Sequence, residues 1–268
     1  MYLLLLLILI IIVLYILANR CRSSHDGLKS LRGWSYAHRG LHGAGRPENS
    51  MVAFRAALNK GYGIEFDLHL LKDGNLAVIH DSFLKRTTGA EGRIEDLTTE
   101  ELKNYCLEGT RETIPTFREL LDLYGGRAPL IVELKPENGN HAALCQAACD
   151  MLELYDGVYC IESFDPRCIQ WLRKNRPDLI RGQLSENFLK SDSQMPLSLR
   201  FALTHQLMNF GSQPDFVAYK FADRKSISPW ICRNIWKAQG VSWTLKTKED
   251  YDTAVKEGWL PIFEGFEP

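Results

Sequence analysis

"IEFDLHLLKDGNLAVIHD", residues 64–81, is two apolar stretches joined through Lys72, Asp73 and Gly74 and threaded with Glu65, Asp67, His69, His80 and Asp81. Charged side chains are costly to bury unless they are paired or hold a ligand, so this spacing needs a structural reason. Glu65, Asp67 and His69 fall two residues apart and therefore on one face of a strand. Parallel neighbours need a crossover of about a dozen residues or more, so "LAVIHD" returns antiparallel to "IEFDLHL". Asp-Gly between alternating residues is a hairpin signal. With Asp73-Gly74 as a two-residue turn, Lys72 pairs with Asn75, and counting back sets Asp67 directly opposite His80 on one face. Asp81 then lies on the other face, accepting a local hydrogen bond or capping the next loop, while His69 sits further up the hairpin, nearer solvent.

Outward from the hairpin, short β-branched and aromatic runs alternate with helical patterns, the signature of repeated βα units around a parallel sheet. The strands expected are "WSYAHR", "GIEFDLHL", "LIVELK", "VYCIES", "LIRGQL", "FVAYKF", "VSWTL" and "LPIFEGF". Helices are expected over 49–60, 116–124, 141–154, 166–175, 196–209, 229–239 and 248–257. Eight such strands over residues 34–268 fit a TIM (β/α)8 barrel. An open doubly wound sheet would carry a glycine-rich phosphate turn after its first strand, and "HRGLHGAGRPENS" has no GxGxxG. Residues 82–115 are too long for an ordinary βα loop and are expected to form a small cap inserted after the second strand.

Composition narrows the partners. A net charge of -1 gives no basic face for phosphate neutralisation, which excludes nucleic acid as a partner. Seven cysteines without CxxC spacing suggest neither a disulfide framework nor a zinc site, and point to a reducing compartment. Cys145 and Cys149, four apart, read as small core residues. The opening "YLLLLLILIIIVLYILA" is an unbroken apolar run with no basic residue before it, whereas Arg20, Arg22, Lys29 and Arg32 follow it. A secretory signal would have the opposite flanks, so residues 1–18 are expected to form one uncleaved transmembrane helix. The positive-inside rule then puts a single-pass chain in the cell membrane with its catalytic domain in the cytoplasm. Residues 19–33 are expected to be a linker.

TIM-barrel sites lie at the C-terminal strand ends. Those ends supply His38 and Arg39, then Glu65 and Asp67, then Glu133 and Lys135, with His80 arriving from the hairpin. Three carboxylates (Glu65, Asp67, Glu133) form a hard oxygen set suited to Mg²⁺ or Ca²⁺; without a cation they would repel one another. Arg39 and Lys135 supply the fork and the point charge that bind a phosphate. His38 and His80 have the pKa range of a base and an acid.

"HRG" (38–40), "PENS" (47–50), the stretch 64–81, "IPTFRELL" (114–121) and "VELK" (132–135) together resemble the glycerophosphodiester phosphodiesterase family in order and spacing, with weaker likeness at Ser163-Phe164 and around Trp243. The resemblance implies a TIM barrel with a cap after the second strand. It makes His38 and His80 the acid/base pair, Arg39 a phosphate ligand, Glu65, Asp67 and Glu133 the ligands of a divalent metal, and Lys135 a phosphate- or water-orienting group, with Glu48 as a buttress. The chain departs from the family at its end: "LPIFEGFEP" stands where a strand like "DGIITDRP" is common, placing Glu264 near the usual Asp, and Leu245 replaces the family's Val.

The reaction implied is metal-dependent hydrolysis of a glycerophosphodiester to sn-glycerol 3-phosphate and an alcohol. An alternative is a lysophospholipase D or phospholipase-like enzyme acting on membrane lipid, with Phe83, Phe164 and Trp243 receiving an acyl chain. A third reading, an inactive membrane-tethered binding protein, is disfavoured because the full residue set is present.

Overall fold

The computed structural model describes residues 1–22, 25–190 and 195–268. The chain begins with helices α1 (Tyr2–Ala18) and α2 (Leu28–Leu31), strand β1 (Tyr36–His38), helix α3 (Met51–Asn59) and the hairpin β2 (Gly63–Leu70) and β3 (Leu76–Val78). There follow α4 (Lys85–Thr88), α5 (Phe117–Tyr124), β4 (Leu130–Leu134), α6 (His141–Leu152), β5 (Tyr159–Ser163) and α7 (Pro166–Asn175). The last part holds β6 (Arg181–Ser185), α8 (Leu197–Thr204), α9 (Asn209–Ser212), β7 (Phe216–Lys220), α10 (Ile227–Asn234), β8 (Gln239–Leu245), α11 (Lys248–Lys256) and β9 (Trp259–Phe263). Strand β1 pairs in parallel with both β2 and β9, which closes β1, β2 and β4 to β9 into a ring of parallel strands. Strand β3 is antiparallel and attached to β2 alone. Each expected strand overlaps an observed one; the helix expected over 196–209 is split into α8 and α9.

Alternation along the strands fills the barrel in layers. Tyr36, Ile131, Cys160, Phe216, Val241 and Leu260 are buried in the lower interior, and Leu28 and Leu31 of α2 pack with them. The Tyr36 hydroxyl donates to Leu31 O at 2.7 Å. The expected linker over 19–33 is thus largely docked: its polar composition hides two leucines that close the barrel floor, and Arg22 makes bidentate bonds to Asp215 at 2.5 and 2.6 Å. Gly182 has no side chain because a Cβ there would stand 2.0 Å from the Phe216 ring. Gly182→Ala is expected to cost about 1–3 kcal/mol through overpacking, read as a lowered urea midpoint with an unchanged m-value.

The hairpin register differs from expectation by one residue. Leu68 pairs with Val78 and Leu70 with Leu76, Ile79 N donates to Asp67 O at 3.2 Å, and the turn comprises Lys72, Asp73 and Gly74. Gly74 takes φ +84°, as three-residue loops require. Asp73 fixes the longer turn by accepting from Asn75 N at 3.2 Å and from Thr99 N, in the cap, at 2.8 Å. A one-residue slip exchanges faces, so Ile79 joins Ala77, Leu84, Ile94, Leu102 and Ile114 in the small core of the cap. His80 lies beyond the end of β3, free of the ladder.

The run expected to cross a membrane forms α1, of 17 residues, about 25 Å at about 1.5 Å per residue. Among the described residues, no helix is long and apolar enough to cross a membrane. Its side chains from Met1 to Leu14 are exposed, whereas its C-terminal end is held by Tyr15, which bonds His205 Nδ1 at 2.8 Å and Ser228 Oγ at 2.7 Å.

Candidate active site

Parallel pairing in register brings the charged residues to the same end of the barrel. His38 is the partner of Glu65, Asp67 of Glu133, and Glu133 of Glu162. Above the apolar layers, these residues ring a cavity of about 100 Å³ lined by His38, Arg39, Glu65, His80, Glu133, Glu162, Phe164 and Trp243, among others. His80 therefore reaches the cavity although it does not oppose Asp67 on the ladder.

Ligand oxygens of Glu65, Asp67 and Glu133 lie within 4.8 Å of one another, and all three residues are buried. Asp67 Oδ1 has no hydrogen-bond partner among the described residues. A buried, acid-only oxygen set with an unsatisfied acceptor fits a hard divalent cation. Burial pushes the Glu133 carboxyl up to about 7, with Lys135 opposing and Asp67 adding to the rise. Glu65 is driven well above the usual carboxylate range by burial and by the charges of Asp67 and Glu133. Asp67 goes the other way: burial would raise it, but Lys135, His80 and Arg39 outweigh burial and hold it ionised.

The cations are placed by these acids. Lys135 Nζ donates to Glu133 Oε1 at 3.0 Å and stands 3.5 Å from Asp67 Oδ1. Arg39, at φ +54°, leaves β1 in a left-handed turn. Its Nη1 donates to Glu48 Oε1 at 2.9 Å, while its buried Nε stays without a hydrogen-bond partner among the described residues. Glu48 also accepts from Arg86 of the cap, so one carboxylate ties the β1 loop to the cap.

Each site histidine has a carboxylate on Nδ1. His38 Nδ1 donates to Glu264 Oε2 at 2.6 Å, leaving Nε2 3.8 Å from Glu65 Oε2. His80 Nδ1 donates to Asp81 Oδ1 at 2.6 Å, and the other Asp81 oxygen accepts from Arg86. Both imidazoles are held below their ordinary pKa, first by burial, with Glu264 pulling against it at His38 and Asp67 at His80. The bond from His38 and the nearby Lys246 hold Glu264 at about 2.

His69 is not near solvent as its place in the hairpin suggested. It is buried, bonded to Glu95 Oε1 at 2.6 Å and to His80 O at 3.1 Å, and it joins the hairpin to the cap. Phe164 and Trp243 pack edge to face at 5.5 Å on the cavity wall, whereas Phe83 is exposed on the cap under Arg93. Cys145 and Cys149 are buried in the core between α6 and the sheet.

Two site residues were not singled out as functional from sequence. Glu162 faces the cavity with Oε2 unpartnered among the described residues, and burial, then the charges of Glu133 and Asp67, raises its carboxyl well above the usual range. Its signal was a lone acid in the apolar run "VYCIES", on the parity of Cys160. Glu264 was noted as a departure, but its pairing with His38 spans the whole barrel and carries no local signal.

A sequence model of the Glycerophosphoryl diester phosphodiesterase family matches residues 38–259. A glycerophosphodiester phosphodiesterase of Bacillus altitudinis is 44% identical over 110 residues, covering 38% of this chain and 44% of that relative. One from Caldanaerobacter subterraneus subsp. tengcongensis is 29% identical over 232 residues, covering 83% of this chain and 89% of the relative. The fold is shared with an Oleispira antarctica phosphodiesterase solved in complex with the product sn-glycerol-3-phosphate, at TM-score 0.70 and 21% identity over 86% of this chain and 92% of that one. With the match running from the end of β1 to the start of β9 and every charged residue of the site but Glu264 inside it, the chain belongs to the glycerophosphoryl diester phosphodiesterase family.

Proposed function

We propose that the chain hydrolyses glycerophosphodiesters to sn-glycerol 3-phosphate and an alcohol, with His38 and His80 as its acid/base pair. The observation that carries this reading is the convergence, on one small cavity, of a buried carboxylate trio, an Arg and a Lys, and two histidines that each present Nε2.

Glu65, Asp67 and Glu133 would hold a divalent ion, Mg²⁺ or Ca²⁺, which when bound offsets charge growing on the phosphoryl oxygens. Arg39 and Lys135 add positive charge at the same oxygens from fixed positions, so little reorganisation accompanies the reaction. His38 takes the proton from the attacking oxygen, that of water or of the substrate's glycerol hydroxyl; the latter expels the alcohol to give a cyclic phosphate that a water then opens to sn-glycerol 3-phosphate. The Glu264 carboxylate orients its ring and stabilises the imidazolium formed. His80 gives a proton to the departing alkoxide, its ring held through Nδ1 by Asp81, which also accepts from Arg86. Glu48 keeps Arg39 and Arg86 apart and in place.

Glu264→Gln tests the His38 role. The substitution preserves a hydrogen-bond partner but removes an anion that raises the His38 pKa, so kcat is expected to fall about 10²-fold or more with KM little changed. The acid limb of the kcat/KM profile should move to lower pH. A profile that does not move removes His38 from proton transfer.

A second reading, a lysophospholipid as substrate, has one feature in its favour. A cleft of about 520 Å³ lined by Phe164, Phe188, Leu199, Leu203 and Met208 adjoins the catalytic cavity through Phe164. Product analysis separates the readings: glycerol 3-phosphate from glycerophosphocholine supports the first, and choline from lysophosphatidylcholine alone supports the second. Phosphocholine as product would overturn both.

The location proposed is the cell membrane, with α1 embedded in lipid and the barrel on the cytoplasmic side. Its support is an apolar helix whose side chains from Tyr2 to Leu14 are exposed, followed by Arg20, Arg22, Lys29 and Arg32.

A further inference from the structure

The direction in which α1 leaves the barrel has a bearing on how substrate arrives. Asp215 immediately precedes β7, at the N-terminal end of the strands, and there it binds Arg22. Ser228 opens α10, beyond the C-terminal end of β7, and there it binds Tyr15. His205, the other partner of Tyr15, follows α8 directly, and α8 sits at the catalytic end of the sheet: Leu203 O accepts from Ser185 Oγ, at the end of β6, at 2.8 Å, and Thr204 O accepts from Tyr219, near the end of β7, at 3.1 Å. From Arg22 back to Tyr15 the chain therefore climbs along β7 toward the active-site end, and Tyr2–Leu14 projects beyond it. The apolar sleeve of α1 rises from the same face of the barrel that carries the cavity.

The surface around the base of that sleeve is apolar as well. On α8, Leu197, Leu199 and Phe201 are 69%, 40% and 47% exposed, and the Phe201 ring lies 4.3 Å from that of His205. On α10, Ile227, next to the Ser228 that binds Tyr15, is 52% exposed. Scattered exposed apolar residues need no explanation, but a contiguous set marks an interaction surface. Large apolar groups at the foot of an apolar helix fit a protein surface seated at the lipid headgroup level. Leu199 belongs both to this collar and to the cleft that runs to Phe164.

We infer that the catalytic face of the barrel is a membrane-docking surface. Leu197, Leu199, Phe201 and Ile227 rest on the bilayer beside α1, and the mouth of the active site opens toward the lipid. The inference rests on the reading of α1 as lipid-embedded and adds to it an orientation. An amphiphilic phosphodiester then reaches the cavity by sliding its headgroup inward while its apolar part stays in the cleft beside Phe164.

The test uses the full chain with phosphatidylcholine vesicles whose acyl chains carry bromine, a short-range quencher of tryptophan fluorescence. The chain is expected to float with the vesicles, and Phe201→Trp, at an exposed position beside His205, is expected to gain bromine-dependent quenching over the unsubstituted chain. Amide hydrogen exchange, which needs no substitution, should slow over residues 197–201 and at Ile227 when vesicles are added. Flotation with equal quenching in both chains and unchanged exchange would overturn the docked orientation while leaving α1 in lipid. Failure to float would overturn both, and glycerol 3-phosphate release from a soluble diester reports separately on the proposed reaction.

Discussion

His80→Ala is expected to lower kcat for glycerol 3-phosphate release from glycerophosphocholine by about 10²- to 10⁴-fold, or about 3–5 kcal/mol in the barrier, with KM within a few-fold of the unsubstituted chain. The size follows from position. His80 stands beyond the end of β3 with its side chain 30% exposed, bound through Nδ1 to Asp81 and free at Nε2 to face the cavity. Removing the ring leaves His69 anchored through His80 O, a backbone atom, so the hairpin and cap should hold and Tm should change little. Steady-state kinetics beside a thermal melt checks both halves. Full activity in a folded variant would dismiss His80 as a proton carrier, and a collapse of Tm would make its role structural.

The second large effect concerns the cation. Glu133→Gln is expected to weaken divalent-metal binding by more than about 100-fold, the upper end of what even outer-sphere partners cost, and to abolish activity at micromolar metal. The unsubstituted chain should show a pH dependence of known sign. With Glu133 held at about 7 and Glu65 well above the usual range in the metal-free chain, both carry protons at mildly acidic pH that a cation must displace. Metal affinity therefore falls as pH drops through 7, and binding near neutrality releases protons. Calorimetry in two buffers of different ionisation enthalpy measures that release directly. An affinity indifferent to pH between 6 and 8 would mean that these carboxylates are not ligands.

Much of this architecture was legible because a parallel barrel writes its pattern locally. Each strand is a short apolar run, each inward charge sits two residues from the next, and the strand ends are where polar residues accumulate. His38, Glu65, Asp67 and Glu133 could be assigned to the C-terminal strand ends for that reason. The hairpin was read one residue out because an Asp-Gly pair suits a two-residue turn, whereas Asp73 also receives Thr99 N from the cap, a contact 26 residues away in sequence that favours the longer loop. His80 nonetheless lines the cavity, since the chain leaves the ladder after Val78 and the slip no longer governs where its side chain points.

Longer-range features left weaker traces. Glu264 meets His38 across 226 residues, and only the closure of β9 onto β1 brings them together. The segment 19–33 looked like a linker because its composition is polar, but two leucines and one arginine suffice to dock it once the barrel floor exists to receive them. The apolar run at the start was legible as a helix. Its route past β7 toward the catalytic face depends on Tyr15, Arg22 and their distant partners, which no local pattern announces.

The most direct measurement is release of glycerol 3-phosphate from glycerophosphocholine by the chain stripped of metal, followed as Mg²⁺ or Ca²⁺ is added back. No product is expected before metal is added, with activity rising to saturation as one ion per chain binds and no such recovery in Glu133→Gln. Undiminished release in excess chelator, from the unsubstituted chain or the variant, would contradict the assignment of Glu65, Asp67 and Glu133 as the centre of the reaction.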